Sequence, residues 1–240
     1  MEKTTVVYNN ETTEICVHVA PTDYVSNMIR WTKRFYESDL LALIHLNFPP
    51  QKVIVDVGAN IGNHSLFFAK YMGCQHVHAF EPVDVNARVF KENLAPYTSL
   101  CTLHEQALSD TVGQRTLYNC EKDNYGGFSL TAQQSSFTVQ DMIPVATLDD
   151  FALKDVTLLK IDVENHENEV LRGAKATIEL NRPIIVLENS NYYFGKLFPD
   201  PNPHAPVLEA LDYVRVLQNV CKSAMDVWMH KENAVSFSHG

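Results

Sequence analysis

The sequence predicts an α/β fold, in which a mostly parallel sheet is flanked by helices on both faces. Short apolar runs alternate with segments of helical periodicity along most of the 240 residues, a pattern typical of parallel sheets. Several runs are apolar at consecutive positions, as expected of strands that are buried on both faces. The first, at residues 53–57, leads through a glycine-containing turn at residues 58–62 directly into a helical pattern. Such a turn presents backbone N–H groups and a helix N-terminus to a bound anion.

The N-terminal residues 1–50 are predicted to form a β-hairpin and a helix that pack on the core domain, residues 51–240. Two β-rich runs, residues 4–8 and 14–19, flank an Asn-Asn turn signal. Residues 23–48 have mainly helical periodicity, which a Pro-Pro pair ends. Because no position divides the chain into two self-sufficient parts, we expect one compact unit overall.

The core domain is predicted to alternate between strands and helices. Its predicted strands lie at residues 53–57, 75–80, 100–104, 158–163, 183–187, 214–217 and 225–229. Between the third and fourth strands the pattern changes to short β pieces around a polar loop, so residues 113–145 are predicted to be a strand-rich insertion. A long loop rich in aromatic residues and prolines follows the fifth strand, at residues 189–206.

The composition argues against several classes of protein. Hydrophobic residues make up 45% of the chain and charged residues 20%, which is typical of a globular protein. The net charge of −10 argues against nucleic acid as a partner, because binding it requires a basic surface. Five cysteines without a CxxC motif indicate reduced thiols rather than a disulfide framework. We find no signal peptide and no apolar run long enough to span a membrane, so we expect a cytoplasmic protein.

The residues around the glycine turn favour a ligand that carries positive charge. The turn has the spacing Gly-x-x-x-Gly, which is neither the dinucleotide fingerprint nor the phosphate-binding loop of nucleotide triphosphatases. Asp56 and Glu81 lie at the ends of the first two core strands, and an acid at the second strand can accept both hydroxyls of a ribose. An adenosine that carries a sulfonium and an ammonium fits these demands, so S-adenosylmethionine is favoured over NAD. The alternative is that the two glycines serve only the tight packing of the strand against the helix and bind no ligand.

Several motifs in order resemble those of the FkbM-type S-adenosylmethionine-dependent methyltransferases. Residues 55–65, VDVGANIGNHS, resemble the first motif of that family, and Ala79-Phe80-Glu81-Pro82 resembles the second. The other matching segments are Ala107-Leu108-Ser109-Asp110, Thr147-Leu148-Asp149, residues 159–164 (LKIDVE) and residues 183–188 (PIIVLE). The similarity extends over most of the chain.

The resemblance implies a class I methyltransferase fold, a Rossmann-like seven-stranded sheet whose last strand is antiparallel. It also implies transfer of a methyl group from S-adenosylmethionine, usually to a hydroxyl of a sugar, a glycan or a secondary metabolite, with S-adenosylhomocysteine as the product. One position departs from the family pattern, since Asn165 stands where a glycine is most frequent. This departure leaves the local turn, and a base near it, open to question.

The resemblance and the strand ends together predict a cofactor site. Asp56 is expected to hydrogen-bond the methionine end, directly or through water, and Glu81 the ribose. Gln106 and Ala107 are expected at the adenine edge. The full predicted cofactor set is Glu37, Asp56, Gly58, Ala59, Asn60, Gly62, Asn63, Ser65, Glu81, Pro82, Gln106, Ala107 and Asp162.

The catalytic and acceptor residues are predicted from the loops that follow the strands. An alcohol must lose its proton, and His166 is the first choice of general base because an imidazole is partly neutral near neutral pH. Asp162 and Glu164 are the other predicted catalytic residues, and His64 is a rival base. The predicted substrate-binding residues are Asn124, Tyr125, Glu188, Tyr192 and Tyr193.

The sequence predicts no metal site, and it leaves other questions open. A Mg²⁺-assisted mechanism through Asp162, as in catechol-type methyltransferases, is not favoured because strand five is followed by Glu188-Asn189 rather than an Asp-Asn pair. The alternatives are an N-methyltransferase acting on a similar small acceptor, an NAD-dependent oxidoreductase, and a catalytically silent binding module. A homo-oligomer stays open, because the predicted N-terminal hairpin offers an edge to a second copy.

Overall fold

An N-terminal hairpin precedes the central sheet, as predicted. The computed structural model describes residues 1–119, 123–131, 138–189, 202–220 and 224–234. Strands β1 (Glu2–Tyr8) and β2 (Glu11–Val17) pair antiparallel. The turn between them consists of Asn9 and Asn10, both with positive φ, which is the backbone that a two-residue hairpin requires and that asparagine tolerates. Val6, Ile15 and Val17 bury the inner face of the hairpin.

The helical segment predicted at residues 23–48 is divided into two helices. These are α1 (Tyr24–Thr32) and α2 (Ser38–Asn47). Asp23 caps α1 by accepting a hydrogen bond from the Ser26 N–H. Lys33 ends α1 in the left-handed conformation, and Glu37 adopts the same conformation before α2 begins. The break places the segment between the two helices against the carboxyl end of the sheet. Helical periodicity alone does not predict this break.

Three strands and two helices then alternate, as predicted. In chain order they are β3 (Val53–Val57), α3 (Asn63–Tyr71), β4 (His76–Phe80), α4 (Asp84–Leu94) and β5 (Cys101–His104). The parallel register joins Val57 to Phe80 and Phe80 to His104. The three strands therefore end at the same edge of the sheet.

The predicted strand-rich insertion is a separate small sheet. It contains β6 (Ala107–Leu108), β7 (Gly113–Asn119), β8 (Phe128–Ser129) and β9 (Thr138–Ala146), in the spatial order β6-β9-β7-β8. A 3₁₀ turn, Leu148–Phe151, follows, and Thr147 with Asp150 forms a capping box at its start. The insertion brings residues 123–131 to the edge at which the central strands end.

The rest of the chain completes the central sheet. Its elements are β10 (Val156–Ile161), α5 (Glu167–Gly173), α6 (Lys175–Asn181), β11 (Ile184–Glu188), α7 (Ala205–Glu209), β12 (Tyr213–Leu217), β13 (Met225–His230) and α8 (Lys231–Ala234). The predicted loop at residues 189–206 lies mostly outside the described residues, and Tyr192 and Tyr193 lie outside them as well.

The central sheet has seven strands in the order β12-β13-β11-β10-β3-β4-β5. β13 is antiparallel to both of its neighbours, so the predicted α/β fold with an antiparallel last strand is confirmed. Alternate residues of β3 join apolar clusters on opposite faces: Ile54 packs on one side, and Val55 and Val57 on the other. Burial on both faces explains the consecutive apolar residues in the sequence. Within the part of the chain that the structure describes, every helix is too short or too polar to cross a bilayer.

Candidate active site

A cavity of about 540 Å³ opens at the carboxyl ends of β3, β4, β10 and β11. The chain progresses across the sheet in one direction from β3 and in the other from β10. Ligands of open α/β sheets bind at such a switch point. Nine of the predicted cofactor-binding residues line the cavity: Glu37, Gly58, Ala59, Asn60, Asn63, Glu81, Pro82, Ala107 and Asp162. Asp56, Gly62, Ser65 and Gln106 are the four that do not.

The other predicted catalytic and substrate-binding residues that the structure describes meet at the same cavity. His166, Glu164, Asn124, Tyr125 and Glu188 all line it. Among the described lining residues, five carry a carboxyl group and one, Lys160, carries an ammonium group. The five carboxyl residues are Glu37, Glu81, Asp162, Glu164 and Glu188. A positively charged ligand in this cavity would stabilise the ionised forms of these carboxyl groups.

The glycine turn allows β3 to approach β10 more closely than any side chain would permit. Gly58 has a φ of 75°, and a Cβ atom added there would lie 1.8 Å from the carbonyl oxygen of Asp162. Gly62 serves a different contact, because a Cβ atom there would lie 2.8 Å from side-chain atoms of Phe90 and Leu94 on α4. Gly58 thus shapes the cavity floor, whereas Gly62 packs α3 against α4.

Lys160 is a site residue that the sequence analysis missed. It lies on β10, is 3% exposed, and its Nζ donates a hydrogen bond of 2.9 Å to the Gly58 carbonyl oxygen. The same Nζ lies 3.2 Å from Asp56 Oδ1 and 3.5 Å from Asp162 Oδ2. Burial by itself favours the neutral amine, but the carboxylates of Asp56 and Asp162 outweigh it and raise the pKa of Lys160. The ammonium group therefore stays charged and ties the glycine turn to β10.

Asp56 lies behind the cavity wall rather than in it. Its side chain is fully buried, and its Oδ2 accepts a hydrogen bond of 2.7 Å from the Ser65 hydroxyl. Its other oxygen faces Lys160. The structure thus gives Asp56 and Ser65 an indirect part, in which they hold Lys160 and the start of α3. The predicted contact of Asp56 with the methionine end stays a prediction.

Glu81 connects the end of β4 to the glycine turn. Its Oε2 accepts a hydrogen bond of 2.8 Å from the Asn60 N–H, and its Oε1 accepts one of 2.9 Å from the Val83 N–H. Burial raises the pKa of Glu81 to about 7, and the N–H groups of Val83 and Asn60 and the Asn86 side chain oppose a larger rise. Glu81 therefore changes charge near neutral pH while it lines the cavity.

The break between α1 and α2 supplies a second wall of the cavity. Asn63 at the start of α3 accepts from the Tyr36 N–H at 3.0 Å and donates to the Tyr36 carbonyl oxygen at 3.1 Å. This pair of hydrogen bonds fixes Tyr36 and the adjacent Glu37. Glu37 Oε2 lies 3.3 Å from His64 Nε2, and both side chains are nearly buried. His64, the rival base, is thus paired with a carboxylate at this wall.

Asn93 on α4 joins the hairpin to the glycine turn. Its side-chain amide donates to the carbonyl oxygens of Cys16 and Ile61, at 3.0 and 2.8 Å. Its Oδ1 accepts from the Cys16 N–H. One buried side chain therefore contacts the backbone of both segments.

The loop that contains Asn124 and Tyr125 lies across the side of the cavity that holds Glu81. The Tyr125 N–H donates to Asp23 Oδ2 at 2.9 Å, and its carbonyl oxygen accepts from Asn86 Nδ2 at 2.9 Å. The Tyr125 ring lies 4.4 Å from the His18 ring. Because Asn86 also contacts Glu81, the loop covers the predicted ribose side, while the predicted acceptor contacts of Asn124 and Tyr125 stay a prediction.

The predicted adenine residues are separated by the structure. Ala107 lines the cavity at the start of β6, next to the buried Leu108. Gln106 does not line it, and its N–H donates to the His104 carbonyl oxygen at 2.9 Å. The backbone at Ala107 is therefore the better-placed partner for a ring at this edge.

The turn after β10 has a left-handed backbone at Asn165, where the resemblance predicts a glycine. Glu164 and Asn165 have φ angles of 55° and 73°, and asparagine is the non-glycine residue that most readily adopts this left-handed backbone. Glu167 Oε1 accepts from the N–H groups of Val163 and Asn165, both at 3.1 Å. Burial raises the pKa of Glu167 to about 7. The amide contacts of Glu167, which the sequence analysis missed, hold the turn.

Three carboxyl groups converge at the ends of β10 and β11. One oxygen from each of Asp162, Glu164 and Glu188 lies within 4.8 Å of the others. Burial, followed by the charge of Asp162, raises the pKa of Glu164 to about 8. Burial and the same carboxylate raise the pKa of Glu188 well above its usual range. The cluster can therefore hold protons at neutral pH or exchange them for a cation.

His166, the first choice of general base, is held by neighbouring side chains. It is 3% exposed, and its Nε2 lies 3.0 Å from Ser109 Oγ while its Nδ1 lies 3.4 Å from Thr131 Oγ1. Burial lowers its pKa. Both ring nitrogens are therefore engaged within the protein, although the residue borders the cavity, and its role as a base stays a prediction.

A comparison with known protein families finds a match over most of the core domain. A model of the methyltransferase FkbM domain matches residues 56–217, which is more than half of the chain. The chain belongs to the FkbM methyltransferase family. The family match begins at Asp56 and extends through β12, so it includes the glycine turn, Glu81 and the carboxyl cluster.

Individual relatives of this FkbM-family chain match only in part. It is 30% identical over 148 residues to Methyltransferase 1 of Beauveria bassiana, covering 52% of the chain and 59% of that relative. It is 29% identical over 175 residues to Methyltransferase sdnD of Sordaria araneosa, covering 58% and 67%. A crystal structure of a methyltransferase FkbM from Methylobacillus flagellatus superposes with a TM-score of 0.54 at 19% identity, covering 81% of this chain and 46% of that one. The chain thus spans about three fifths of the Beauveria relative, and the superposition supports the fold.

Proposed function

We propose that this FkbM-family chain is an O-methyltransferase that moves a methyl group from S-adenosylmethionine to a hydroxyl of a sugar, a glycan or a secondary metabolite. The observation that best supports S-adenosylmethionine as the cofactor is the position of Glu81. Its carboxylate borders the cavity at the end of β4, beside the glycine turn and beneath the loop of Tyr125. A carboxylate there can accept the ribose hydroxyls, and the acidic lining suits a sulfonium.

The cavity divides into two ends that fit the two reactants. Glu81, Pro82 and Ala107 border one end, which fits an adenosine. The ends of β10 and β11 border the other, where Glu164 and Glu188 reach the cavity. Transfer of the methyl group from the cofactor to the acceptor is an in-line displacement. Holding the acceptor oxygen against the methyl group therefore provides much of the rate acceleration.

Of the predicted catalytic residues, we propose Glu164 as the general base. A base works best when its pKa is near the working pH, and burial raises the pKa of Glu164 to about 8. Its backbone is left-handed, and such strained conformations are found more often at functional sites. His166 is held instead between Ser109 and Thr131. A carboxylate base of this kind suits a hydroxyl, although an amine acceptor would fit the same cavity.

Calorimetric titration of the chain with S-adenosylmethionine, S-adenosylhomocysteine and NAD tests the cofactor. We expect both adenosine sulfur compounds to bind and NAD not to bind. Glu81→Gln should weaken S-adenosylhomocysteine binding about 10- to 100-fold, because hydrogen bonds to a charged group contribute about 1.5–3 kcal/mol. Glu105→Gln is the matched control, because Glu105 is exposed and paired with Lys91. Binding of NAD in preference to S-adenosylmethionine, or equal affinity in Glu81→Gln, would refute the proposal.

The methylated atom is tested by incubation with a labelled methyl donor. Parallel panels contain polyols and sugars without amines, and amines without hydroxyls. Mass spectrometry then locates the added methyl group. Transfer to the amine panel alone would favour the N-methyltransferase, and binding of the cofactor without turnover in either panel would favour a silent binding module.

A further inference from the structure

The three carboxyl groups of Asp162, Glu164 and Glu188 have the spacing of a metal site. One oxygen of each lies within 4.8 Å of the other two, so there is a point that lies within about 2.8 Å of all three. Calcium binds carboxylate oxygens at about 2.3–2.6 Å and magnesium at about 2.0–2.1 Å. Small side-chain rotations would therefore bring all three oxygens into a coordination sphere.

Glu188 provides an observation that is independent of the clustering. It is 6% exposed, and its buried Oε2 accepts no hydrogen bond from any described residue. The residue borders the cavity. A buried carboxylate oxygen without a donor costs free energy unless a ligand satisfies it.

The nearby positive charge does not neutralise the cluster. Lys160 lies 3.5 Å from Asp162, but it lies closer to Asp56, at 3.2 Å. Among the described residues, no lysine, arginine or histidine forms an ion pair with Glu164 or Glu188. Three acidic side chains therefore share part of one ammonium group, and this arrangement attracts a further cation.

We propose that Asp162, Glu164 and Glu188 bind one divalent cation of the oxygen-preferring class, such as Mg²⁺ or Mn²⁺, at the end of the cavity opposite Glu81. An all-carboxylate donor set without histidine or cysteine selects such ions over zinc or copper. Three protein oxygens leave coordination positions open toward the cavity. The sequence argued against a Mg²⁺-assisted mechanism through Asp162 because Glu188-Asn189 follows strand five, but Glu188 still brings a carboxylate oxygen within 4.8 Å of Asp162.

The cation would also define the class of acceptor. Its open positions would bind two neighbouring oxygens of an acceptor, and the ion would lower the pKa of a coordinated hydroxyl. This second step rests on the proposed methyltransferase function, whereas binding of the ion does not. A vicinal diol or a hydroxyl beside a carbonyl would fit such a centre. With the ion bound, Glu164 serves as a ligand, and the role of general base proposed above applies to the site without metal.

Binding of Mn²⁺ to the folded chain tests the site, with the free ion measured by electron paramagnetic resonance. Titrations with and without S-adenosylhomocysteine are run on the wild type and on Glu188→Gln, Asp162→Asn and Glu37→Gln. The last variant is the matched control, because Glu37 is a nearly buried carboxylate of the same cavity that lies outside the cluster. Competition by Mg²⁺ and by Ca²⁺ identifies the preferred ion.

We expect one Mn²⁺ per chain, binding at least about tenfold weaker in Glu188→Gln and in Asp162→Asn, because ligand charge sets affinity. Glu37→Gln should bind it nearly as well as the wild type. Absence of Mn²⁺ binding in the wild type, or an equal loss in Glu37→Gln, would overturn the site. If Glu188→Gln does not fold by circular dichroism, Asp162→Asn decides.

The same titrations separate this inference from the proposed function. Binding of S-adenosylhomocysteine without Mn²⁺ would overturn the cation site and leave the methyltransferase proposal standing. Binding of Mn²⁺ without S-adenosylhomocysteine would support the cation site and count against the cofactor.

Discussion

Replacing Lys160 with methionine should destabilise the protein strongly. The substitution keeps the length and most of the volume of the side chain but removes its ammonium group. Asp56, which is fully buried, would lose the cation that lies 3.2 Å from it. The Gly58 carbonyl oxygen would lose a hydrogen bond of 2.9 Å. A buried carboxylate without a partner is the main cost.

The size of the effect follows from these distances. With an effective dielectric constant of about 20, charges 3.2 and 3.5 Å apart attract by about 5 kcal/mol each. The desolvation that the ammonium group already suffers offsets part of this attraction. Measured losses on breaking buried pairs are about 3–5 kcal/mol, and we expect a loss in that range. This is a large fraction of the roughly 5–15 kcal/mol that stabilises a typical domain.

Urea denaturation followed by circular dichroism measures the change. Lys175→Met is the matched control, because Lys175 is exposed and its ion pair with Glu179 is long, at 3.9 Å. This control substitution should change the free energy of unfolding by less than about 0.5 kcal/mol. The double variant Asp56→Asn/Lys160→Met should recover at least half of the loss, since no buried charge is left unpaired. If Lys160→Met loses less than about 1 kcal/mol, or the double variant is no better, the ion pair does not hold the glycine turn.

Two other predictions follow from the site and its supports. Because burial raises the pKa of Glu81 to about 7, the free protein gains a proton there as the pH falls, and the neutral carboxyl loses the charge that accepts ribose hydroxyls. Affinity for S-adenosylhomocysteine, measured by calorimetry, should therefore fall about tenfold from about pH 8 to about pH 6, and an equal slope in Glu81→Gln would contradict this. Gly173→Ala should lower the free energy of unfolding by about 3 kcal/mol or more, because the new Cβ would lie 1.9 Å from the Ser109 carbonyl oxygen. Unchanged urea stability of that variant would show that α5 can shift without cost.

The sequence predicted the central sheet because the signal is local. The apolar runs at β3 and β10 are buried on both faces, and Gly58 follows β3 directly. The tight turn of the N-terminal hairpin was also readable, since the Asn9-Asn10 signal depends on neighbours in sequence. Strand ends could therefore be placed at one edge before any contact was known.

The missing parts of the site depend on contacts between distant segments. A lysine inside an apolar strand gives no sign of its partner, so the contact of Lys160 with Asp56 was not predicted. The same holds for Glu167, which reads as an ordinary first-turn acid but holds the backbone of Val163 and Asn165. The break at Lys33 and Glu37 likewise follows from docking on Asn63 rather than from helix propensity.

The contacts of Asn93 also bear on how the molecule opens. Its one amide group contacts Cys16 in the hairpin and Ile61 in the glycine turn, so neither segment can leave without exposing a buried polar group. Local opening events in proteins involve contiguous cooperative units. We therefore expect the hairpin and the glycine turn to open together, although they lie far apart in the sequence. A ligand that binds the turn should then lower the rate at which the backbone amides of β2 exchange with solvent. Ligand binding at the cavity would in this way stabilise the N-terminal hairpin.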